Sequence, residues 1–409
     1  MAAYSENPLH YVDKLPEFIN VDIGEINVKR DLYVRNTATS ALYNLETALR
    51  FVEDDKLKIR APRSYTSSGR PTQASLKNLG QRLQEGDWYE EEIVLEGIGH
   101  IQAFAWPVLL QGGGLATVEG NALKLNPKGK AALTENLPHT IKDIWAQWRT
   151  TELLDEFSRV DAIKGQKTSG GRVLFPAHTR RPVLYEGLLL CTPGKWLKVE
   201  ALIGVMHAAG LEFEVAKDAF RLYVGNSQRG HLDDYGDQSI INTRYVLAFL
   251  FEYAATLGLI DVAYIHPQGA LSDYHSLWGW ENIGSGFLSR YDGLKFIRIN
   301  PLGAYAMEMT ARYEPEIADN GCALTALPNH EVLDDVKNHS KSLIYSGRWH
   351  LIACEDARLQ KRLISDKKIS NTCLPVGEKH LVLIPGKEKK FMAALAHLGY
   401  NVPHLKEQI

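Results

Sequence analysis

The sequence predicts an α+β, helix-rich fold in which a helical linker joins two tandem winged-helix-like modules and a small C-terminal α/β domain follows. Three observations lead to this prediction. A helix, hairpin and helix pattern occurs twice and closes each time on Asn-Pro-x-Gly, an amphipathic stretch joins the two copies, and strand-plus-helix units replace the pattern after Asn320. A chain of 409 residues also exceeds one ordinary core, because domains usually have roughly 100–150 residues.

The internal repeat lies in residues 98–133 and 242–307. Each copy has an apolar helix, a Gly-Leu pair where that helix ends, two short strands and a new helix that begins with proline. Glycine can take the left-handed conformation that ends a helix, and Asn126 and Asn300 are the expected N-caps of the closing helices. One strand-Asn-Pro-x-Gly turn is common, but two copies with matching upstream helices favour the module.

The two copies differ between their strands. The first has the tight tip Glu119-Gly120-Asn121, whereas the second has an insertion over residues 265–293. Four aromatic residues in the insertion are the candidate partner-binding residues: Trp278, Trp280, Phe287 and Tyr291. An aromatic insertion either packs onto a neighbouring element or binds a partner, and packing is the favoured interpretation.

Apolar spacing predicts the remaining elements. Early helices are expected over residues 39–52 and 72–83 in the first module and 195–209 in the second, and a connecting helix over 140–160. In the tail, strands are expected at 349–354 and 380–384, each followed by a helix, at 356–364 and 387–398. The predicted domains are 1–136 (first module), 137–185 (helical connector and basic linker), 186–319 (second module with the aromatic insertion) and 320–409 (C-terminal domain).

Signatures of common enzyme classes do not occur in the sequence. Gly194-Lys195 is followed by Trp196, so the phosphate-binding loop is incomplete, and neither H-E-x-x-H nor G-x-S-x-G is present. We therefore predict a protein that is not an enzyme and needs no cofactor. The alternative is a nuclease with an unrecognised site, for which these residues are candidates: Glu212, Glu214 and Lys217, or Glu355 and Asp356.

A group with metal-ligating side chains comprises His231, Asp233, Asp234 and Asp237. It lacks the alternating spacing and the closing glutamate of a calcium loop. A solvated acidic loop before the following helix is the favoured interpretation, and no metal site is predicted.

The charge distribution limits any contact with nucleic acid to local regions. The net charge is −3 with a pI near 6.5. Two acid-free stretches nevertheless stand out, at 56–82 and 163–185. Their candidate nucleic-acid-binding residues are Lys56, Lys58, Arg60, Arg63, Arg70, Gln73, Lys77 and Arg82 in the first, and Lys164, Lys167, Arg172, Arg180 and Arg181 in the second. Such side chains neutralise and hydrogen-bond backbone phosphates.

Base-specific reading by the usual recognition helix is not expected. In a helix-turn-helix protein the helix before the hairpin enters the major groove and displays polar residues. The corresponding segments, 100–110 and 246–251, are apolar and are predicted to be core helices. The helix expected at 72–83 is the better candidate, since Gln73 and Lys77 avoid its leucine stripe.

Several short motifs carry a resemblance to a family. They are the strand-Asn-Pro-x-Gly endings, the runs 257–264 (LGLIDVAY) and 288–293 (LSRYDG), and tail segments that begin at Ala326 and Ser346. Over about half the chain they resemble bacterial winged-helix proteins related to the accessory regions of XPB-type helicases. The resemblance implies a DNA-associated role in a phage-defence or genome-maintenance complex. The helicase motor itself is missing, and no catalytic residue carries over.

The combined prediction is a non-catalytic DNA-binding or DNA-positioning adaptor. Its expected partners are double-stranded DNA and a protein such as a helicase, an SMC-like ATPase or a nuclease. The alternative from another class is a protein scaffold whose winged helices do not bind DNA. The N-terminus lacks a signal-peptide pattern, the apolar run 245–260 is too short to span a bilayer, and none of the four cysteines forms a C-x-x-C pair, so a cytoplasmic protein is expected.

Overall fold

The computed structural model describes residues 9–23, 26–60, 68–90, 98–168, 171–224, 232, 238–275, 286–315, 351–354, 357–377, 380–384 and 387–397. The chain forms two compact units, Met1–Ile317 and Ala318–Ile409, which we call the N-terminal and C-terminal units. Helices and small antiparallel sheets make up the structure, so the predicted α+β class is confirmed.

The elements of the N-terminal unit are short strands interspersed with helices. The strands are β1 (Tyr11–Val12), β2 (Phe18–Ile23), β3 (Ile26–Asp31), β4 (Tyr33–Arg35), β5 (Ile59–Arg60), β6 (Arg70–Pro71), β7 (Ala116–Glu119), β8 (Ala122–Leu125), β9 (Ile163–Lys164), β10 (Lys167–Thr168), β11 (Gly171–Arg172), β12 (Trp196–Lys198), β13 (Tyr223–Val224), β14 (Ile260–Tyr264) and β15 (Leu294–Ile299). The α-helices are α1 (Thr37–Glu53), α2 (Gln73–Gly80), α3 (Gln102–Gly112), α4 (Pro127–Ala131), α5 (Leu137–Trp148), α6 (Ala177–Leu189), α7 (Val199–Ala208), α8 (Gln238–Ala248) and α9 (Pro301–Ala306). A π-helix, Phe249–Ala254, continues α8, and two 3₁₀-helices span Glu156–Arg159 and Ala219–Arg221.

The elements before the first copy belong to the same unit, so we call residues 37–131 the first repeat; its elements are, in order, α1, β5, β6, α2, α3, β7, β8 and α4. Strands β7 and β8 form an antiparallel hairpin in which Ala116 pairs with Leu125 and Glu119 pairs with Ala122. The segment around β5 lies along the other side of β8, because Lys58 forms a β-bridge with Ala122. The strand between the first two helices therefore pairs with the hairpin that follows the third helix.

The second repeat, residues 177–306, has the same order of main elements: α6, β12, α7, α8 with its π-helix, β14, β15 and α9. Strand β6 belongs to the first repeat alone, and a 3₁₀-helix and β13 lie between α7 and α8 of the second. Strand β14 pairs with β15, and β12 lies on the other side of β15, where Leu197 is opposite Ile297. Strands β1 and β4 extend this sheet to five strands in the order β1-β12-β15-β14-β4. The position of β12 against β15 thus corresponds to that of β5 against β8.

The Asn-Pro-x-Gly motif closes the first repeat on the end of its third helix. Gly114, with φ at +69°, ends the α3 segment in the left-handed conformation, and the carbonyl of Leu115 accepts a hydrogen bond from the amide of Asn126 (3.1 Å). The Asn126 side chain caps α4 by accepting from the amide of Gly129 (2.9 Å). A Cβ on Gly129 would lie 2.1 Å from the Leu115 carbonyl oxygen, so this position requires glycine.

The second repeat closes in the same way. Gly258 has φ at +73°, and the carbonyl of Leu259 accepts from the amide of Asn300 (3.4 Å). Asn300 caps α9 by accepting from the amide of Gly303 (3.0 Å), and a Cβ on Gly303 would lie 1.8 Å from the Leu259 carbonyl oxygen. The expected caps are confirmed, and the Gly-Leu and Asn-Pro-x-Gly segments prove to be two halves of one contact.

One hydrophobic core runs through both repeats. Helix α3 is buried along its whole length and contacts the π-helix of the second repeat. The rings of Trp88 and Phe251 lie 5.1 Å apart across this junction. Helix α1 also joins the repeats, because the amide of Thr37 donates to Asp261 of β14 (2.8 Å).

Two expected helices have different bounds, and one helix was not predicted. The connecting helix α5 ends at Trp148, not near residue 160, because Asp155 starts a separate 3₁₀ turn by accepting from the amide of Phe157. The helix expected over 195–209 begins as strand β12 and becomes helical at Val199. Helix α6 occupies the end of the segment interpreted as a basic linker, and its Leu184 and Leu188 lie in the core.

The C-terminal unit contains the predicted strand-plus-helix pairs. Its elements are β16 (Leu351–Ala353), α10 (Ala357–Ser365), α11 (Lys367–Ser370), β17 (Cys373–Val376), β18 (His380–Leu383) and α12 (Glu388–His397). The sheet is antiparallel in the order β16-β18-β17, with Ile369, Leu381 and Phe391 in a separate small core. Strand β17 and helix α11 were not predicted.

Candidate nucleic-acid interface

Two of the predicted arginines lie side by side on a short hairpin. Arg60 of β5 is directly opposite Arg70 of β6, and both side chains are exposed. The chain between these strands includes Arg63, which lies outside the described residues. Cross-strand partners project to the same face of an antiparallel pair, so Arg60 and Arg70 present their charges together.

Helix α3 holds this hairpin in place. The buried side chain of Gln111 accepts from the amide of Gly69 (2.8 Å) and donates to its carbonyl (2.9 Å), which satisfies both backbone groups of that residue. A Cβ on Gly69 would lie 2.5 Å from the Cδ1 atom of Ile59. The amide of Ser68 donates to the carbonyl of Leu153 (2.8 Å). Arg70 therefore extends from a backbone that is fixed on two sides.

Helix α2 adjoins the same hairpin and exposes polar side chains. Thr72 caps the helix, and the Ser75 hydroxyl accepts from the Lys58 amide (2.9 Å) and donates to its carbonyl (3.0 Å). The leucine stripe of α2 is buried, while Gln73 and Lys77 are exposed, in agreement with the predicted division of its faces.

Arg82 follows α2 and is tied back to the protein. Its Nη1 donates to the Asn78 carbonyl (2.7 Å), and its guanidinium lies over the ring of Phe51 at 5.2 Å. The side chain is exposed, yet its two contacts direct it along the surface of α1 and α2.

The lysines at the start of the first stretch are close to acids that precede it in the chain. Lys56 pairs with Asp54 at 2.5 Å and Lys58 with Asp55 at 3.1 Å. The same Asp55 pairs with Lys124 of β8 (3.0 Å), and its pKa is lowered by the hydrogen bonds from Lys124 and Lys58. The first stretch is acid-free in sequence but is partly neutralised in space.

The second stretch contributes two exposed lysines. Lys164 of β9 and Lys167 of β10 are both exposed, and the Lys164 ammonium donates to the carbonyl of Asp161. Arg172 is opposite Lys167 in the β10–β11 pair, but its side chain lies outside what the structure describes.

Arg180 and Arg181 do not belong to a phosphate-binding surface, which corrects the prediction. Both are buried, and they pair with Asp155 at 2.5 Å and with Glu156 at 2.6 Å. Arg181 also donates to three backbone carbonyls, those of Trp148, Thr151 and Leu154. Burial alone would lower the pKa of Arg181, but Glu156 raises it above its ordinary value.

The inserted aromatic residues that the structure describes are also part of the core. Tyr291 is fully buried and Phe287 is nearly so, and both belong to the main hydrophobic cluster. Neither is available to a separate partner, which corrects that assignment and agrees with the packing interpretation. Trp278 and Trp280 lie outside the described residues.

The helices that precede the two hairpins are core helices, as predicted. Every residue of α3 and of the π-helix is buried, and the two elements pack on each other. A helix enclosed in this way cannot enter a DNA groove.

Two arginines that the sequence did not single out adjoin this region: Arg159 neighbours Arg70, and Arg290 neighbours Arg159. Although the Arg70 side chain is exposed, partial desolvation of its guanidinium and the neighbouring Arg159 lower its pKa. Arg159 and Arg290 stand next to acids in the sequence, at Asp161 and Asp292, so a search for acid-free stretches passes over them.

Only some of the candidate nuclease and metal-ligating residues fall within the described ranges. Glu212, Glu214 and Lys217 are exposed, and within the described ranges no three His, Cys, Asp or Glu side chains are grouped to hold a metal ion. The group from His231 to Asp237 and the pair Glu355 and Asp356 lie outside the described residues.

Comparison with known proteins finds no match: no family model, no curated protein and no solved structure is similar to this chain. Within the described parts of the chain, no helix has both the length and the hydropathy needed to cross a membrane.

Proposed function

We propose that this chain is a non-catalytic DNA-binding or DNA-positioning adaptor and that its first repeat contacts the backbone phosphates of double-stranded DNA. The contact surface consists of the exposed side chains of Arg60, Arg70, Gln73 and Lys77, which we call the basic face. The observation that carries the proposal is the exposed Arg60–Arg70 pair on a hairpin that Gln111 fixes. Positively charged groups on a rigid element bind phosphates without a large cost in side-chain and loop ordering.

The order of elements supports two winged-helix-like units. Each repeat has three helices, a strand between the first two, and a hairpin after the third that pairs with this strand. Helix-turn-helix proteins bind DNA with such a scaffold, although a shared fold does not by itself imply a shared function.

Burial of α3 and the π-helix limits the mode of binding. The two helices that would read base edges are packed against each other, so the expected contacts are to phosphate and sugar. Such contacts fix a protein on the duplex without sequence preference. An adaptor that positions DNA for a helicase, an SMC-like ATPase or a nuclease needs this mode, and the partner would supply any motor or cleavage.

The experiment is equilibrium binding of the full chain to labelled duplexes of unrelated sequence, measured by fluorescence anisotropy. Arg60→Ala and Lys77→Ala should each weaken binding to all duplexes by similar factors. Lys217→Ala is the matched control, since Lys217 is an exposed cation on another part of the N-terminal unit. Equal affinities for the wild type and both basic-face variants would contradict the proposal.

A protein scaffold is the second candidate, and one observation favours it. Strands β2 to β4 expose large apolar side chains: Phe18, Ile26, Tyr33 and Val34. Strand β4 is also an edge of the five-stranded sheet, so its outer backbone groups face away from β14. A stoichiometric partner that co-purifies without nucleic acid, and is lost on Ile26→Asp, would support the scaffold over the adaptor.

A further inference from the structure

Arg159 belongs to a cluster of three arginines at the junction of the repeats. Its Nε donates to both carboxylate oxygens of Glu252 in the π-helix, at 3.0 and 3.3 Å, and its Nη2 donates to the His100 carbonyl (2.8 Å). The guanidinium also stacks on Phe104 at 3.7 Å. These contacts hold Arg159 firmly and leave little freedom for it to reorient.

Arg290 approaches the same place from the segment before β15. A Cβ on Gly99 would lie 2.7 Å from Nη1 of Arg290, so this glycine makes room for the guanidinium. Nη2 of Arg290 pairs with Asp161 at 2.5 Å. Two adjacent residues therefore adjoin both arginines, since Gly99 lies against Arg290 and the His100 carbonyl accepts from Arg159.

Arg70 of β6 completes the cluster. Its Nη2 lies 3.3 Å from the hydroxyl of Ser158, next to Arg159 in the chain. The cluster thus draws one arginine from the first repeat, one from the connector and one from the second repeat.

Among the residues that the structure describes, the charges of the cluster do not balance. The three guanidinium groups have two carboxylates as neighbours there, Glu252 and Asp161, so the cations outnumber the anions by one. Burial and the proximity of Arg159 lower the pKa of Arg290 to about 10 and lower that of Arg70 as well, so these groups remain charged at neutral pH. Burial raises the pKa of Glu252, which weakens its ability to offset the arginines.

Asp161 is the member of the cluster that can leave. Its side chain is 69% exposed, whereas that of Arg290 is 12% exposed. The carboxylate thus covers a partly buried cation from the solvent side, as an anionic ligand would. Exchange of Asp161 for another anion keeps Arg290 paired with a negative charge, and the released carboxylate is already largely in contact with solvent.

We propose that Arg70, Arg159 and Arg290 form a binding site for a phosphate group, and that the phosphate replaces Asp161 on Arg290. Planar guanidinium groups bind phosphate through two parallel hydrogen bonds, which makes arginine the residue best suited to this ligand. Arg70 and Arg290 donate to the bound group, and Arg159 supplies fixed positive charge behind it. The site requires a phosphate but no duplex, so it goes beyond the proposed function and can stand without it.

The experiment is calorimetric titration of the full chain with inorganic phosphate at constant ionic strength, kept with chloride, and then with duplex DNA. The wild type should bind one phosphate per chain. Arg290→Gln and Arg70→Gln should each weaken binding at least tenfold, while Asp161→Asn should tighten it about two- to fivefold because it removes the competing carboxylate. Asp218→Asn is the matched control, since Asp218 also pairs with an arginine at the surface, Arg221, at 2.9 Å.

The outcomes separate this site from the adaptor. Phosphate binding without duplex binding would support the site and contradict the proposed function. Absence of phosphate binding, or identical affinities for Asp161→Asn and the wild type, would show that the cluster is an internal ion-pair network only. If Arg290→Gln does not fold, the Asp161→Asn comparison still decides the question.

Discussion

The two repeats share the order of their elements but treat their charged residues in opposite ways. The first repeat exposes cations, as on the β5–β6 hairpin with Arg60 and Arg70. The second buries three arginines, Arg180, Arg181 and Arg244, in ion pairs. One backbone plan therefore carries a surface suited to anions in one copy and internal ion pairs in the other.

The hairpins of the two repeats also differ in exposure. In the first repeat β7 and β8 form a short hairpin whose tip is exposed, whereas β14 and β15 lie inside a five-stranded sheet. The inserted segment after β14 packs Tyr274 and Tyr291 into the core. The hairpin of the second repeat is thus the more enclosed of the two. The first repeat carries the proposed DNA contacts.

The largest expected effect is on the free energy of unfolding, where a buried ion pair of the second repeat should matter far more than an exposed one of the first. Arg244 pairs with Asp273 and, through Nε, with Asp292 at 3.1 Å. Because Arg244→Ala leaves the fully buried Asp292 without this cation, it should lower the free energy of unfolding by about 3–5 kcal/mol in chemical denaturation. Lys124→Ala, which removes an exposed pair with Asp55 in the first repeat, should cause no measurable change. Equal losses in the two variants would refute the contrast between the repeats.

A second comparison tests what the repeats have in common. Gly303→Ala and Gly129→Ala each place a Cβ against a backbone carbonyl oxygen, at 1.8 and 2.1 Å, and should each cost about 1–3 kcal/mol or more of unfolding free energy. The control is Gly204→Ala in α7, where a Cβ meets no atom within 4 Å. That variant should stabilise the protein by about 0.5–1 kcal/mol, since alanine is the better helix former. A tolerated Gly129→Ala would show that the two closing contacts are not equivalent.

The caps should differ between the repeats in magnitude. Asn126 caps α4 at a partly exposed position and also donates to the Gly114 carbonyl (2.8 Å), whereas Asn300 is buried and donates to Thr37 (3.2 Å) and to Asp261 (3.0 Å). We expect Asn126→Ala to cost about 1 kcal/mol and Asn300→Ala about 2 kcal/mol, because the latter also leaves buried groups without a partner. Thermal denaturation of the two variants under identical conditions measures the difference, and the reverse order would contradict the assigned roles.

The last expected effect depends on pH and concerns the start of α3. The Asp87 carboxylate accepts from the amides of Gln102 (2.8 Å) and Ile101 (3.1 Å). Burial alone would raise its pKa, but His100 and the amides of Gln102 and Trp88 lower it. The folded pKa then lies below the unfolded value of about 3.9, so this stabilisation is present above about pH 4 and is lost as the pH falls through the folded pKa. Asp87→Asn should cost about 1–2 kcal/mol near pH 7 and progressively less at lower pH. A loss that is independent of pH would rule out this role for the carboxylate.

The sequence predicted the features that depend on neighbouring residues. Gly-Leu pairs, asparagine caps and leucine stripes are local signals, and they placed the hairpins, the closing helices and the buried face of α2 correctly. The same reasoning failed for Arg180 and Arg181, because their partners Asp155 and Glu156 lie 25 residues earlier in the chain. A window of sequence cannot show which charges meet in space.

Counting charges along the sequence also misjudged the first acid-free stretch and passed over the arginine cluster. Asp54 and Asp55 stand just before the acid-free stretch, yet they pair with Lys56 and Lys58 inside it. Arg290 meets Asp161 across 129 residues, and no local pattern predicts that contact. Charge composition pointed to the hairpin with the exposed Arg60 and Arg70. It overestimated how many of the other basic side chains are exposed and unpaired.

The salt dependence of duplex binding tests the central claim most directly. If the Arg60, Arg70 and Lys77 side chains each neutralise a phosphate, a plot of log affinity against log salt concentration should be linear with a slope of about −3, and Arg60→Ala should reduce that slope by about 1. Duplexes of unrelated sequence should give the same line. A slope near zero, or one that Arg60→Ala leaves unchanged, would contradict a DNA contact through the basic face.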